Sequence, residues 1–448
     1  MRASQTSDSY CRGILQRKTP RSQTEGFIEE GLNVVSMGGV LVSRPGMRTF
    51  HGASFPAPVK GHAWHVAQDG TRTMLVAAGT GLYRLIEGGD PVLLSMANLP
   101  ADIQTRVEPE VVNFLSLSGG TNTTFIYDGV NPTLKYDDSG LLTKMGITTP
   151  PTPHAASSIL THGFVPKGTR NIVQTLKSLH HESSPSETPR EVTLNTLAGN
   201  TYTVASPVQG VDFDDPQVKT WCVYSTIAGG GDFRFAAEAD IGVDIVLGAS
   251  STDDDKNLAE RTKVEFLVND PPPAAAVAMA EHRGQLAAVF ADDLNLVRFS
   301  NLDPDFMVPE GWPETFVQPV MHSDGDEITA LASLDEWLVV WKMTGTYAIV
   351  GDSFDVYRVV PVIAAAGGKR LGVGVFNPGT VLQVENAVFF CARDGMYKVD
   401  RYATPSGGIS ATRLSSAIDA LYSAAKFSLG ASTFFDRIKR IFAFLGHG

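Results

Sequence analysis

Residues 73–86, TMLVAAGTGLYRLI, read as a β-hairpin, because two runs of β-branched, aliphatic and aromatic residues flank a Gly-Thr-Gly turn. The same grammar returns four times: TTFIYDGVNPTLKYD (123–137), GQLAAVFADDLNLVRFS (284–300), EWLVVWKMTGTYAIVG (336–351) and NAVFFCARDGMYKVD (386–400). Each copy is an apolar strand, a polar or glycine turn, and a strand with an aromatic and usually a basic residue. The last three copies lie roughly 45–55 residues apart, and a period near 40–50 with about four strands per repeat is the mark of a β-propeller. The fold class expected is therefore all-β. In this reading Gly79 and Gly81 are turn architecture and not a phosphate-binding loop.

Composition limits what these repeats can build. The chain has 448 residues, 43% hydrophobic and 19% charged, which is ordinary globular usage and enough to bury a large core. No apolar run approaches the roughly 20 residues of a membrane-spanning helix. The start is basic and serine-rich and lacks the continuous apolar stretch of a secretory signal. Cys11, Cys222 and Cys391 are far apart and form neither a metal spacing nor a disulfide framework, so a reducing cytosol is the expected place of synthesis.

The net charge of −12 is uneven. Residues 301–350 carry nine acidic side chains and one lysine, whereas 401–448 carry six basic and two acidic ones. Such blocks serve either as complementary faces of a self-assembling ring or as solvated surface. An acidic chain is not a phosphate-neutralising nucleic-acid binder, since that affinity comes from clustered lysine and arginine. It can still surround DNA without gripping it.

In chain order, residues 1–36 read as an extended arm and 37–150 as the first propeller strands, with Arg44, Pro45 and Gly46 making a turn or sheet edge. The proline-dense TTPPTP (148–153) and NDPPP (269–273) bracket a segment of different character, with short strands and a turn every eight to twelve residues or so. That segment, 151–272, is expected to be an inserted β-sandwich. Residues 273–448 resume the propeller, about six blades in all, and the strand near 39–50 is expected to close the ring against 440–445.

Several patterns invite chemistry. His62 and His65 form H-x-x-H, but i and i+3 point to opposite faces of a strand. Residues 323–327 (SDGDE) and 252–257 (TDDDKN) have the oxygen density calcium favours, without the full twelve-residue loop. Asp128, Asp292, Asp293 and Asp394 fall in equivalent turns, where Asp satisfies the local backbone. No nucleophile elbow or Walker loop is present, and residues 372–379 (GVGVFNPG) have the wrong spacing for a dinucleotide fingerprint. The expectation is no enzyme, no cofactor and no metal.

The residues VLVSRPGMRTF (40–50) followed by TMLVAAGTGLYRL resemble the opening of phage virion propeller proteins, the group of tail nozzle and packaged-DNA stabilisation proteins of short-tailed phages. HESSPS (181–186) and VYSTIAGGGDFRFAAEA (223–239) resemble the immunoglobulin- or fibronectin-like insertion of that group. The stretches 281–304, 326–351 and 388–400 resemble its successive blade signatures. The chain departs from the pattern at Ser225, where relatives tend to carry arginine.

The resemblance implies a structural protein of the virion tail, made in the host bacterial cytoplasm. It implies a homo-oligomeric ring, a hexamer, beneath portal and adaptor proteins, through which genomic DNA passes without tight binding. Asp324, Asp326 and Glu327 on one side, and Arg437, Lys439 and Arg440 on the other, are the candidate ring-contact residues. The alternatives are a peripheral receptor- or glycan-binding propeller, with Trp221 and Tyr224 of the insert as exposed contacts, and a propeller hydrolase.

Overall fold

The computed structural model describes residues 34–37, 40–43, 55–86, 89–97, 99, 112–117, 122–154, 157–179, 181–195, 199–264, 266, 269–301, 309–322, 324–353, 356–364, 371–384, 386–400, 409–415, 432–436 and 441–445. It is all-β apart from short helical turns. Strands β1 (Val34–Met37) and β2 (Val40–Ser43) form an antiparallel hairpin, so part of the expected arm is strand.

Two four-stranded antiparallel meanders follow. The first runs β3 (Val59–Val66), β4 (Arg72–Ala78), β5 (Gly81–Leu85), β6 (Val92–Leu93). The second runs β7 (Asn113–Leu117), β8 (Thr123–Tyr127), β9 (Leu134–Asp137), β10 (Leu142–Lys144). The quoted hairpin is β4–β5, with Ala78 paired to Gly81. Gly79 has φ of +58°, as the first central position of a two-residue hairpin turn demands, and any residue with a Cβ is strained there.

Seven strands come next: β11 (Ser157–Val165), β12 (Gly168–Lys177), β13 (Arg190–Leu194), β14 (Asn200–Val204), β15 (Thr220–Ser225), β16 (Arg234–Asp240) and β17 (Ile245–Leu247), then helix α1 (Asp255–Glu260). They make two sheets, β11-β14-β17 and β13-β12-β15-β16. Ile172, Leu176, Trp221 and Val223 of one sheet meet Val165, Tyr202, Val204 and Leu247 of the other in a single core.

The meanders then resume. The third is β18 (Ala276–His282), β19 (Gln285–Phe290), β20 (Asp293–Phe299), β21 (Val317–Pro319). The fourth is β22 (Ile328–Leu334), β23 (Trp337–Lys342), β24 (Thr346–Val350), β25 (Arg358–Pro361). In the fifth, β26 (Ile363–Ala364) lies parallel to β30 (Ser410–Arg413), outside the meander of β27 (Leu382–Val384), β28 (Ala387–Ala392), β29 (Gly395–Asp400) and β30. A hairpin of β31 (Ser432–Asp436) and β32 (Ile441–Leu445) follows. Every quoted hairpin supplies inner strands of its own sheet. These strands are buried on both faces, which is why QLAAVF and LVVWK read as continuous apolar runs.

The chain divides into two compact units, one of Phe55–Ile86 with Pro91–Pro319, the other chiefly from Val320 onward. In the former, β8 obeys its period of two. Ile126 packs with Leu75 and Leu82 of the first sheet, while Phe125 and Tyr127 pack with Met279, Leu286 and Phe290 of the third. In the latter, the fourth and fifth sheets share a core in which Trp341 meets Phe390 at 5.5 Å between ring centroids. An aromatic pair of this kind contributes about 1 kcal/mol beyond its area.

The pairing expected between the strand near 39–50 and residues 440–445 is not among the pairings of the described residues. Strand β2 is bonded to β1 and β32 to β31, each in a two-stranded sheet. Arg44, Pro45, Gly46, Arg437, Lys439 and Arg440 lie outside the described residues.

His282 ends β18 and is fully buried. Burial, with Arg283 adding to it, pushes its imidazole down to about 4. The folded chain thus binds this proton less readily than the unfolded chain, whose histidine titrates near 6.5. Stability from this group is complete above pH 6.5 and is lost as pH falls toward 4, by about 3 kcal/mol. Urea midpoints across that window are expected to fall for the parent chain and to flatten for His282→Gln; parallel curves would refute it.

Candidate functional site: an acidic turn and two buried lysines

The acidic turn precedes β22, and what its oxygens surround is a lysine. Lys342, the last residue of β23, is wholly buried and donates from Nζ to Asp324 Oδ1 at 2.6 Å, Asp326 O at 2.9 Å and Met321 O at 3.0 Å. The Asp326 carboxylate accepts from the Met343 and Thr344 amides at 3.1 and 2.8 Å and from Thr344 Oγ1 at 2.6 Å, closing the turn over the β23–β24 connection. The oxygen density of SDGDE is therefore turned on an internal ammonium. Asp324 and Asp326, expected as ring contacts, are engaged within the fold, and Glu327 is exposed. Gly374 lies so close that an added Cβ would sit 1.7 Å from Lys342 O, while the Val375 amide donates to that oxygen at 3.0 Å. Within GVGVFNPG, Gly374 thus serves a close backbone approach.

A second buried lysine was not singled out by sequence reasoning. Lys135 in β9 donates to both oxygens of Glu310 at 2.6 and 2.7 Å, and the side chains are 3% and 0% exposed. The Gly146 amide donates to the same carboxylate at 2.7 Å. The available signal was the basic residue recurring in the second strand of most hairpins. Its counterparts have shorter-range partners: Arg298 reaches Asp292 at 2.6 Å and Lys398 reaches Asp400 at 2.8 Å.

The proline-dense boundaries of the inserted pair of sheets are pinned by buried polar groups. Gln217 Nε2 donates to the Lys144 and Gly146 carbonyls, and Gln174 Nε2 to that of Pro151. At the other boundary Asn269 donates to Ser184 Oγ and the Glu182 carbonyl, and accepts from Asn301. Trp221 and Tyr224, the contact points of the receptor-binding alternative, at least one of which strand alternation assigns to the core, are both buried. Trp221 donates to Val243 O from the shared core. Tyr224 sits on the opposite face, donating to Glu182 Oε1 at 2.7 Å, and burial with the Glu182 charge drives its phenol well up.

The remaining motifs resolve into local structure. His62 is exposed, whereas His65 is buried between Thr124 Oγ1 and Asp138 Oδ1, 3.1 Å from each; burial holds its imidazole below the usual histidine range despite Asp138. In TDDDKN, Asp254 caps α1 by accepting from the Asn257 amide, and Asp255 pairs with Arg170 at 2.8 Å. Asp128 accepts from the amides of Val130 and Asn131, and Asp293 from that of Asn295. Cys222 and Cys391 are buried thiols outside any disulfide, and desolvation pushes the Cys222 thiol up to about 12. Among the described residues no three His, Cys, Asp or Glu side chains are grouped to hold a metal ion, and no helix is long and apolar enough to cross a membrane.

No family profile matches the sequence, and no curated protein matches it. Solved structures show loose similarity. The PorZ surface component of the type-IX secretion system of Porphyromonas gingivalis aligns over 76% of this chain at 10% identity and a TM-score of 0.27. This chain spans 32% of PorZ. BBS1N, in complex with ARL6DN, aligns over 81% of this chain and 79% of its own at 10% identity and TM-score 0.29. AztD from Citrobacter koseri aligns over 78% and 73%, at 9% and 0.26. At such scores none of them bears on function.

Proposed function

We propose that the chain is a β-propeller of about six blades carrying a fibronectin-like insertion, and that it is a non-catalytic structural protein of a phage tail. In this reading it forms a homo-oligomeric ring, a nozzle or head-to-tail channel component, that retains the packaged genome and conducts it on ejection. The observation that carries the reading is order. Five repeated hairpins each supply the inner strands of an antiparallel meander, in sequence, with two further sheets between the second and third. That is the order of the motifs resembling the virion propeller group. Net acidity supports a conduit, because each phosphate neutralised by lysine or arginine would add salt-dependent grip.

Asp324, although bonded to Lys342, and Glu327 are both exposed and serve as the acidic contacts, with Arg437, Lys439 and Arg440 as their counterparts across a head-to-tail interface. The buried state of Trp221 and Tyr224 weakens the receptor-binding alternative. Electron microscopy of the purified protein and of virions labelled with an antibody to it is the test. Closed rings and label on the tail axis are expected; peripheral knobs or monomers without label would overturn the reading.

A further inference from the structure

The sequence contains four Asp-Gly steps, at 69–70, 128–129, 324–325 and 394–395, and no Asn-Gly. At such a step the glycine nitrogen can attack the aspartate side-chain carbon, because no Cβ stands in the way. The attack needs a nitrogen free of the fold's hydrogen bonds and a carboxyl lying over it. Three of the four steps fail the first condition. The Gly70 amide donates to Ala67 O and the Gly129 amide to Ala276 O, each at 2.9 Å. Gly395 is buried and paired with Ala392 in the β28–β29 ladder. Gly325 is exposed, with φ of +70°, and no atom beyond its chain neighbours lies within 4 Å of where a Cβ would stand. Among the described residues its amide meets no acceptor in the protein.

The Asp324 carboxyl is also set for the attack. Its Oδ1 accepts from the Asp326 amide at 3.1 Å, which folds the side chain back across the Gly325 peptide. The same oxygen accepts from Lys342 Nζ at 2.6 Å. As a nitrogen adds to Cγ, negative charge develops on Oδ1, where an amide and an ammonium already point. Donors fixed in place before the charge appears stabilise such an oxyanion.

We propose that Asp324 is a self-modifying site, converting to isoaspartate in the folded chain. The Gly325 nitrogen bonds to Cγ of the protonated carboxyl, and the amide hydrogen leaves with the hydroxyl as water, giving a succinimide. Water then adds to the Asp324 main-chain carbonyl and breaks its bond to that nitrogen. The chain afterwards runs through Cγ, with the carboxylate left on Cα and no net change of mass. The added backbone atom takes the carboxylate away from Lys342. The test ages the unaltered full chain in native buffer and, in parallel, in urea at the same pH and temperature. Peptide mapping with electron-transfer fragmentation counts isoaspartate at all four steps. Dividing each native rate by the same step's rate in urea cancels the effect of local sequence. The ratio is expected to be about one or higher at 324 and below about one-tenth at 69, 128 and 394, whose amides react only through local opening. A ratio at 324 well below one, or no higher than that of another step, would overturn the proposal.

Discussion

Replacing Glu310 by leucine is expected to destabilise the unit containing residues 55–319 by about 3–5 kcal/mol, because it strands the Lys135 ammonium and the Gly146 amide away from water. The pair itself need not be net stabilising. Removing two charges from water costs several kcal/mol, and a bidentate contact with one further amide offsets that cost only in part. The double variant Lys135→Met, Glu310→Leu is therefore expected to recover most of the loss. Urea unfolding of the parent, both single variants and the double variant forms a cycle that measures the coupling. Additive losses would show that the two side chains are not the partners described.

Lys342→Met is expected to cost about 3 kcal/mol in the other unit, and more than Asp324→Asn. The ammonium satisfies two main-chain carbonyls, Met321 O and Asp326 O, which keep their need for a donor when the lysine is gone. Asp324 is 32% exposed along its side chain and can turn to water. Urea midpoints for the two variants decide the order. An equal or larger loss for Asp324→Asn would mean that the carboxylate, and not the lysine, organises the turn.

Much of the strand layout was legible because short-range rules govern it. The turn at Gly79 needs a positive φ, and Ile126 alternates with Phe125 and Tyr127 because successive side chains face opposite ways. The proline-dense stretches at 148–153 and 269–273 flank the two sheets of β11–β17, and proline punctuates a strand pattern for a similarly local reason. What escaped was set by partners distant in sequence. The oxygens of residues 323–327 read alike for calcium and for an ammonium, and only the fold brings Lys342 to them. Trp221 and Tyr224 alternate as a half-exposed strand would, yet both faces of β15 are covered, one by the shared core and the other by Glu182, Phe233 and Phe266. The parallel strand β26 carries no local signature at all, since two residues covering the edge of β30 have no period to read.

The bond between Lys135 and Glu310 also bears on the order of folding. The two residues are 175 positions apart, and the whole insertion lies between them. Closing so long a loop from an unfolded chain carries an entropy penalty that grows with the logarithm of its length. An insertion that has already folded, with its two ends held by Gln217 and Asn269, shortens the effective loop several-fold and lowers that penalty by about 1 kcal/mol. The two sheets between them are therefore expected to act as a template for joining the second and third sheets, and pulse-labelled hydrogen exchange is expected to protect their amides first.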